Sequence, residues 1–228
     1  MPARAATRRG SFITLEGGEG AGKSTQVRYL LHNLRAAGIA AIGTREPGGS
    51  PGAEILRKLL LSGRIAHLGP AAEAILFAAA RIDHIDTTIA PALAAGTWVV
   101  SDRYADSTRA YQGARGQVEP RFLRALERIA LGNVRPDLTL ILDLPGTDGL
   151  ARAAARRTGG EAPDRFERED LAFHETLRSA FLSIAAAEPA RCIVIDAADP
   201  EEDVAKAIFS AVSHRLIASG AVKQARHG

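Results

Sequence analysis

Short apolar, β-prone runs alternate along the chain with longer stretches whose apolar positions recur at helical spacing. Residues 12–16, 39–44, 97–101, 138–142 and 191–195 read as strands. Residues 22–37, 51–61, 70–95, 119–131, 147–157 and 166–187 read as helices, the first stopping at Gly38. Asp199 and Pro200 have the character of an N-cap and first helical residue, so they open a last helix. The strands are short and nearly all-apolar, which predicts burial on both faces. Strands separated by helices then predict an α/β fold, a five-stranded parallel sheet with helices on both faces. Ligands on such sheets bind beyond the carboxyl ends of the strands. Residues 17–25, 44–49 and 102–112 each follow a strand, so all three are expected to line one crevice.

The chain has 228 residues, which suits one α/β domain, and no internal repeat or linker divides it. The domain is expected over residues 11–217. The first ten residues carry Arg4, Arg8 and Arg9 without an acid or an apolar h-region, and are expected to be a disordered basic tail rather than a targeting peptide. Residues 218–228 are expected to fray. No apolar run approaches the roughly 18 residues of a membrane span. A net charge of +3 suits anionic ligands but is too mild to indicate nucleic acid. Cys192 is the only cysteine, which excludes an intramolecular disulfide, argues against a thiolate zinc site and fits a reducing cytoplasm. The histidines show no metal-ligand spacing.

Gly17-Gly18-Glu19-Gly20-Ala21-Gly22-Lys23-Ser24 matches G-x-x-x-x-G-K-[ST] between a predicted strand and a predicted helix. Glycines let backbone N–H groups turn inward around a polyphosphate, and the helix aims its N-terminal dipole at it. Lys23 reaches the β- and γ-phosphates, and the Ser24 hydroxyl suits Mg²⁺. This predicts a nucleoside triphosphate without saying what becomes of it. A GTPase switch would need D-x-x-G and N-K-x-D. Asp143-Leu144-Pro145-Gly146 meets the first pattern, but residues 133–137 read N-V-R-P-D, so Asp143 reads as a strand-end turn. A larger ATPase motor would need a longer chain. A small-molecule kinase needs an acceptor site in the same crevice and cations on the transferring phosphoryl group.

Candidates for those parts are present. Asp102 can order Mg²⁺ or its waters, and Arg103 beside it can clamp a monophosphate; the plainer alternative for the two is a surface salt bridge. Phe77, Arg81 and His84 share one face of the helix 70–95, where a ring and a guanidinium suit a planar base, although an aromatic on a helix is often core. Ile75, Ile82, Ile85 and Ile89 form another stripe, suited to core or to an interface. Residues 152–168 contain Arg152, Arg156, Arg157, Arg165 and Arg168 around Gly159-Gly160. That segment is either a mobile lid closing over phosphates or a solvated charged loop.

Taken in order, the stretches FITLEGGEGAGKST (12–25), TREPGG (44–49), ILFAAAR (75–81), SDRYADSTRAYQG (101–113), PDLTLILDLP (136–145) and DRFERED (164–170) resemble the bacterial thymidylate kinases. The resemblance covers roughly residues 11–213. It implies a P-loop NTPase fold with a mobile lid, ATP as donor, Mg²⁺ as cofactor, dTMP as acceptor, dTDP as product and a cytoplasmic homodimer. The runner-up acceptors are dUMP and UMP, and the runner-up outside the kinases is a P-loop GTPase switch. It implies that Gly17, Gly18, Glu19, Gly20, Ala21, Gly22, Lys23, Ser24 and Thr25 hold ATP. It places Glu19 near the sugar 3′-hydroxyl, Phe77 on the thymine face, Arg81 at its edge, and Arg103, with Arg45 behind it, at the acceptor phosphate. Thr108 and Gln112 come near the base, and Tyr111 crowds the sugar 2′ position. Ser24 and Asp102 attend Mg²⁺, Asp102 partly through water. Some members carry an arginine where this chain has Gly20. This chain resembles the subtype whose catalytic arginine comes from the lid, with Arg156 first and Arg152 and Arg157 behind it. His84 replaces the small polar amide expected there.

Overall fold

A computed structural model describes residues 9–114, 118–156 and 166–218 of the chain. Its strands are β1 (Phe12–Gly17), β2 (Ala41–Arg45), β3 (Trp98–Asp102), β4 (Leu138–Asp143) and β5 (Cys192–Asp196). All pair in parallel, in the order β2-β3-β1-β4-β5. The chain leaves the central strand β1 in one direction and later returns to its other side, so β1 lies at the switch point where α/β sheets open a crevice. The register levels the strand ends: Leu15 and Arg45 both pair with Asp102.

The helices are α1 (Lys23–Ala36), α2 (Pro51–Leu61), α3 (Gly69–His84), α4 (Ala90–Ala94), α5 (Ala105–Ala114), α6 (Pro120–Leu131), α7 (Gly146–Arg156), α8 (Leu171–Ala187) and α9 (Glu201–Val212). A π-helical segment, Ile85–Ile89, joins α3 to α4, and another, Ser213–Ala218, extends α9. Side chains alternate across β1. Ile13 and Leu15 pack with Leu138, Leu140 and Leu142 against Val27, Leu30 and Leu34 of α1 and Val204, Ile208 and Val212 of α9. Phe12, on the other face, packs with Val99 against Ile85, Ile89 and Leu93, while Ile141 meets Leu177 and Phe181 of α8.

Several expectations need correction. Only the three inner strands are buried on both faces; the edge strands β2 and β5 alternate between buried and more exposed positions. The predicted helix 70–95 is interrupted by the π segment. Its isoleucine stripe divides, because Ile85 and Ile89 are core whereas Ile75 and Ile82 are exposed. The helix predicted from residue 166 begins at Leu171, capped by Asp170, whose carboxylate accepts from the Phe173 amide at 2.8 Å. Pro200, not Asp199, occupies the N-cap of α9. Arg9 and Gly10, assigned to the tail, are tied down: Arg9 pairs with Asp137 at 3.0 Å and the Gly10 amide donates to the Leu93 carbonyl. The tails at 1–8 and 219–228 and the lid residues 157–165, with Arg157 and Arg165, lie outside the described residues.

Candidate active site

The loop from Gly17 to Gly22 leads from β1 into α1, whose first turn has no side-chain cap and no acid. Its N-terminal amides therefore remain available to an anion, as the motif requires. Gly20 has φ 70°, and a Cβ there would run into the Gly149 carbonyl at the start of α7. No side chain fits position 20 unless α7 moves, so the loop cannot carry an arginine there in this arrangement. Lys23 folds back over the loop and donates to the Gly18 carbonyl at 2.6 Å. Burial pushes its ammonium down to about 8; Arg103 adds to the effect, while Glu19, Asp102 and Glu16 oppose it.

A crevice of about 510 Å³ opens beside this loop, and residues from all three predicted stretches line it. From the loop and α1 come Glu19, Gly20, Gly22, Lys23, Ser24 and Thr25; Gly17, Gly18 and Ala21 build the loop without lining the crevice. The Ser24 hydroxyl donates directly to the Asp102 carboxylate at the end of β3. A hydroxyl and a carboxylate side by side are the hard oxygen donors that suit Mg²⁺, which takes few protein ligands and keeps waters and phosphate oxygens.

Arg103 follows with φ 69°, a left-handed conformation that costs a non-glycine residue on the order of 1–3 kcal/mol. Glu16, at the end of β1, holds that turn. Its carboxylate accepts from the Tyr104 amide at 2.7 Å and from the Ser107 hydroxyl at 2.6 Å. Burial and nearby Asp106 push this carboxyl up to about 7 against the pull of Ser107, Arg103 and Tyr104. The turn aims Arg103 across the loop, where it donates to the Gly17 carbonyl at 2.9 Å and pairs with Glu19 at 2.7 Å. Tyr111 donates to the same Glu19 oxygen at 2.6 Å. Burial raises the Glu19 carboxyl, but Arg103, Lys23 and Tyr111 outweigh it and bring it down to about 2. Asp102 and Arg103 are thus crevice residues, and Arg103 is paired inside the crevice rather than on the surface.

The far wall is built by α3 and α5. Phe77 and Arg81 face the crevice with Thr108, Tyr111 and Gln112. Arg81 is buried, pairs with Glu46 at 2.7 Å, and donates to the Tyr104 carbonyl and the Thr108 hydroxyl at 3.1 and 3.0 Å. The Gln112 side chain is 2% exposed, yet its Oε1 has no partner among the described residues. Such an atom is costly unless something enters the crevice to meet it. Arg45 also lines the crevice and pairs with Glu54 at 3.1 Å.

Two predicted residues fall elsewhere. His84 shares a helical face with Phe77 and Arg81 but lies beneath the 44–49 loop, bonded to Thr44 and Glu46. Arg152 donates to the carbonyls of Ala197 and Ala198 and does not reach the crevice. Arg156, one turn later, does line it, and pairs with Glu167 at 3.5 Å. Asp143 holds Arg178 with two bonds of 2.7 and 2.9 Å outside the crevice, as a strand-end residue. Sequence reasoning missed Glu16, Glu46 and Arg57. A carboxylate inside the apolar run at 12–16 was a signal for Glu16. Arg57, which lines the crevice and donates to the Pro47 carbonyl at 2.6 Å, carried none.

Residues 15–208 match the sequence profile of the thymidylate kinase family. The chain is 58% identical to the thymidylate kinase of Bradyrhizobium diazoefficiens over 209 residues, covering 92% of this chain and 91% of the relative. It is 56% identical to that of Nitrobacter winogradskyi over 222 residues, 97% of this chain and 96% of the relative. It is also 56% identical to that of Rhodopseudomonas palustris over 220 residues, covering 96% and 94%.

Proposed function

The chain belongs to the thymidylate kinase family, and from that premise we propose roles for the residues predicted to serve the crevice. It phosphorylates dTMP to dTDP with ATP as donor, a step toward dTTP. One observation supports the assignment best. A single crevice has the phosphate loop at one end and, at the other, a wall of Phe77, Arg81, Thr108 and Gln112 able to stack on a base and bond its edge.

In this reading ATP lies with its phosphates on the loop from Gly17 to Gly22 and on Thr25. Lys23 exchanges the Gly18 carbonyl for phosphate oxygens. Ser24 and Asp102, with water, would hold Mg²⁺, which would supply neutralisation of phosphate charge. Arg103 takes the acceptor phosphate, assisted by Arg45, and Glu19 and Tyr111 receive the deoxyribose. A phosphate oxygen of dTMP then attacks the γ-phosphorus in line while ADP leaves. Positioning and charge neutralisation supply the rate. Arg156, at the crevice mouth, adds its charge to the transferring group.

The enzyme works as a homodimer in the cytoplasm in this reading. Support for the dimer comes from Ile55 of α2, Ile75 and Ile82 of α3 and Phe122 and Ile129 of α6, large apolar side chains left exposed. Support for a reducing compartment comes from Cys192, the single cysteine of the sequence. An ADP-release assay over a panel of monophosphates tests the acceptor. Turnover should be fastest with dTMP; equal or faster turnover with UMP or dUMP would move the acceptor assignment.

A further inference from the structure

His84 is fully buried, three residues beyond Arg81 on α3, and no step above uses it. Its Nδ1 lies 3.0 Å from Glu46 Oε1 and its Nε2 2.6 Å from the Thr44 hydroxyl. A carboxylate offers only lone pairs, so Nδ1 carries the hydrogen and donates, while Nε2 and the Thr44 hydroxyl share the second bond. The ring fills the space under the loop after β2. A Cβ on Gly49 would collide with both the Thr44 hydroxyl and the imidazole, and Thr88 of the π segment donates to the Gly49 carbonyl at 2.9 Å.

The other Glu46 oxygen accepts from Arg81 Nε at 2.7 Å. Two donors on opposite oxygens fix the rotation of this carboxylate. Glu46 in turn fixes the rotation of Arg81, whose Nη2 is taken by the Tyr104 carbonyl and the Thr108 hydroxyl. The Nη1 group is left without a partner among the described residues, on a side chain that lines the crevice. That edge offers only donors, so it matches a ring carbonyl and not a ring amino group.

We infer that His84 is a positioning residue for acceptor recognition: by holding Glu46 it fixes the edge of Arg81 that meets the pyrimidine, and so favours a carbonyl-bearing base over an amino-bearing one. The inference rests on the reading of Arg81 as the base-facing residue. Steady-state kinetics of His84→Ala, His84→Asn, Arg81→Ala and the double variant test it. In His84→Ala the KM for dTMP should rise about tenfold, the loss expected of one charge-assisted bond. The KM for ATP and kcat should stay within about twofold to threefold, and the preference for dTMP over dCMP should narrow. His84→Asn, whose amide can still donate to Glu46, should recover most of the loss. The double variant should be no worse than Arg81→Ala, because both changes remove one interaction.

If Arg81→Ala weakens dTMP binding and His84→Ala does not, the positioning role is overturned while the acceptor assignment stands. If Arg81→Ala leaves the KM for dTMP unchanged, the acceptor assignment itself fails. Equal losses for ATP and dTMP, without recovery in His84→Asn, would make His84 a packing residue only. Should His84→Ala not fold, His84→Phe, which fills the same space without a donor to Glu46, decides the matter. A rise in the KM for dTMP alone supports the role, and an unchanged KM overturns it.

Discussion

Raising the pH should switch off ATP use through one side chain. Lys23 is 7% exposed, and burial has moved its ammonium from 10.5 to about 8. That distance corresponds to on the order of 3 kcal/mol taken from the charged form. With a value near 8, about nine-tenths of the free enzyme carries the charge at pH 7 and about one-tenth at pH 9. The profile of kcat/KM for ATP reports the free enzyme, so it should fall about tenfold between pH 7 and pH 9. Stability moves the other way. Between about 8 and 10.5 the unfolded chain binds the extra proton, so this group makes the fold more stable as pH rises through that window. A melting temperature that holds while kcat/KM falls separates lost charge from unfolding. In Lys23→Arg the guanidinium stays charged, and the descending limb should vanish at whatever lower rate remains. A flat wild-type profile to pH 10, or a limb that survives Lys23→Arg, would refute the reasoning.

Arg156→Ala should lower kcat about a hundredfold, as removal of a transition-state cation does, with the KM for dTMP within a few-fold; a raised KM with unchanged kcat would assign Arg156 to ground-state binding. Glu16 is raised in the fold from 4.5 to about 7, so the folded state binds the extra proton between those values and stability from this group declines as pH rises through that window. Melting curves from pH 5 to 8 should show that decline in the wild type and a flatter profile in Glu16→Gln; identical slopes would remove Glu16 as the source.

Much of this was legible in the chain because the inner strands are apolar enough to be read from their runs, and because the phosphate loop needs particular residues at particular spacings. Helix α5 was not read as a helix. Its sequence, ADSTRAYQGA, is polar and lacks a regular apolar stripe, because one side faces the crevice and the rest packs through Ala105 and Ala110. His84 was correctly placed on the face of Phe77 and Arg81, but no helical spacing shows where a crevice stops. The 44–49 loop covers the last turn of α3 and turns a candidate ligand-facing residue into a support. Arg152 and Arg156 are one turn apart, yet only the structure separates them: one is tied to the carbonyls after β5 and the other reaches the crevice. Glu46 was visible only as a letter in TREPGG, since its two partners come from α3, 35 and 38 residues away in the chain.

Transfer of label from γ-³²P ATP with magnesium and dTMP tests the account most directly. The label should appear in dTDP, one per ADP formed, and turnover should collapse when dTMP is left out. Label released as inorganic phosphate at the same rate with or without dTMP would contradict the claim that the crevice holds donor and acceptor together.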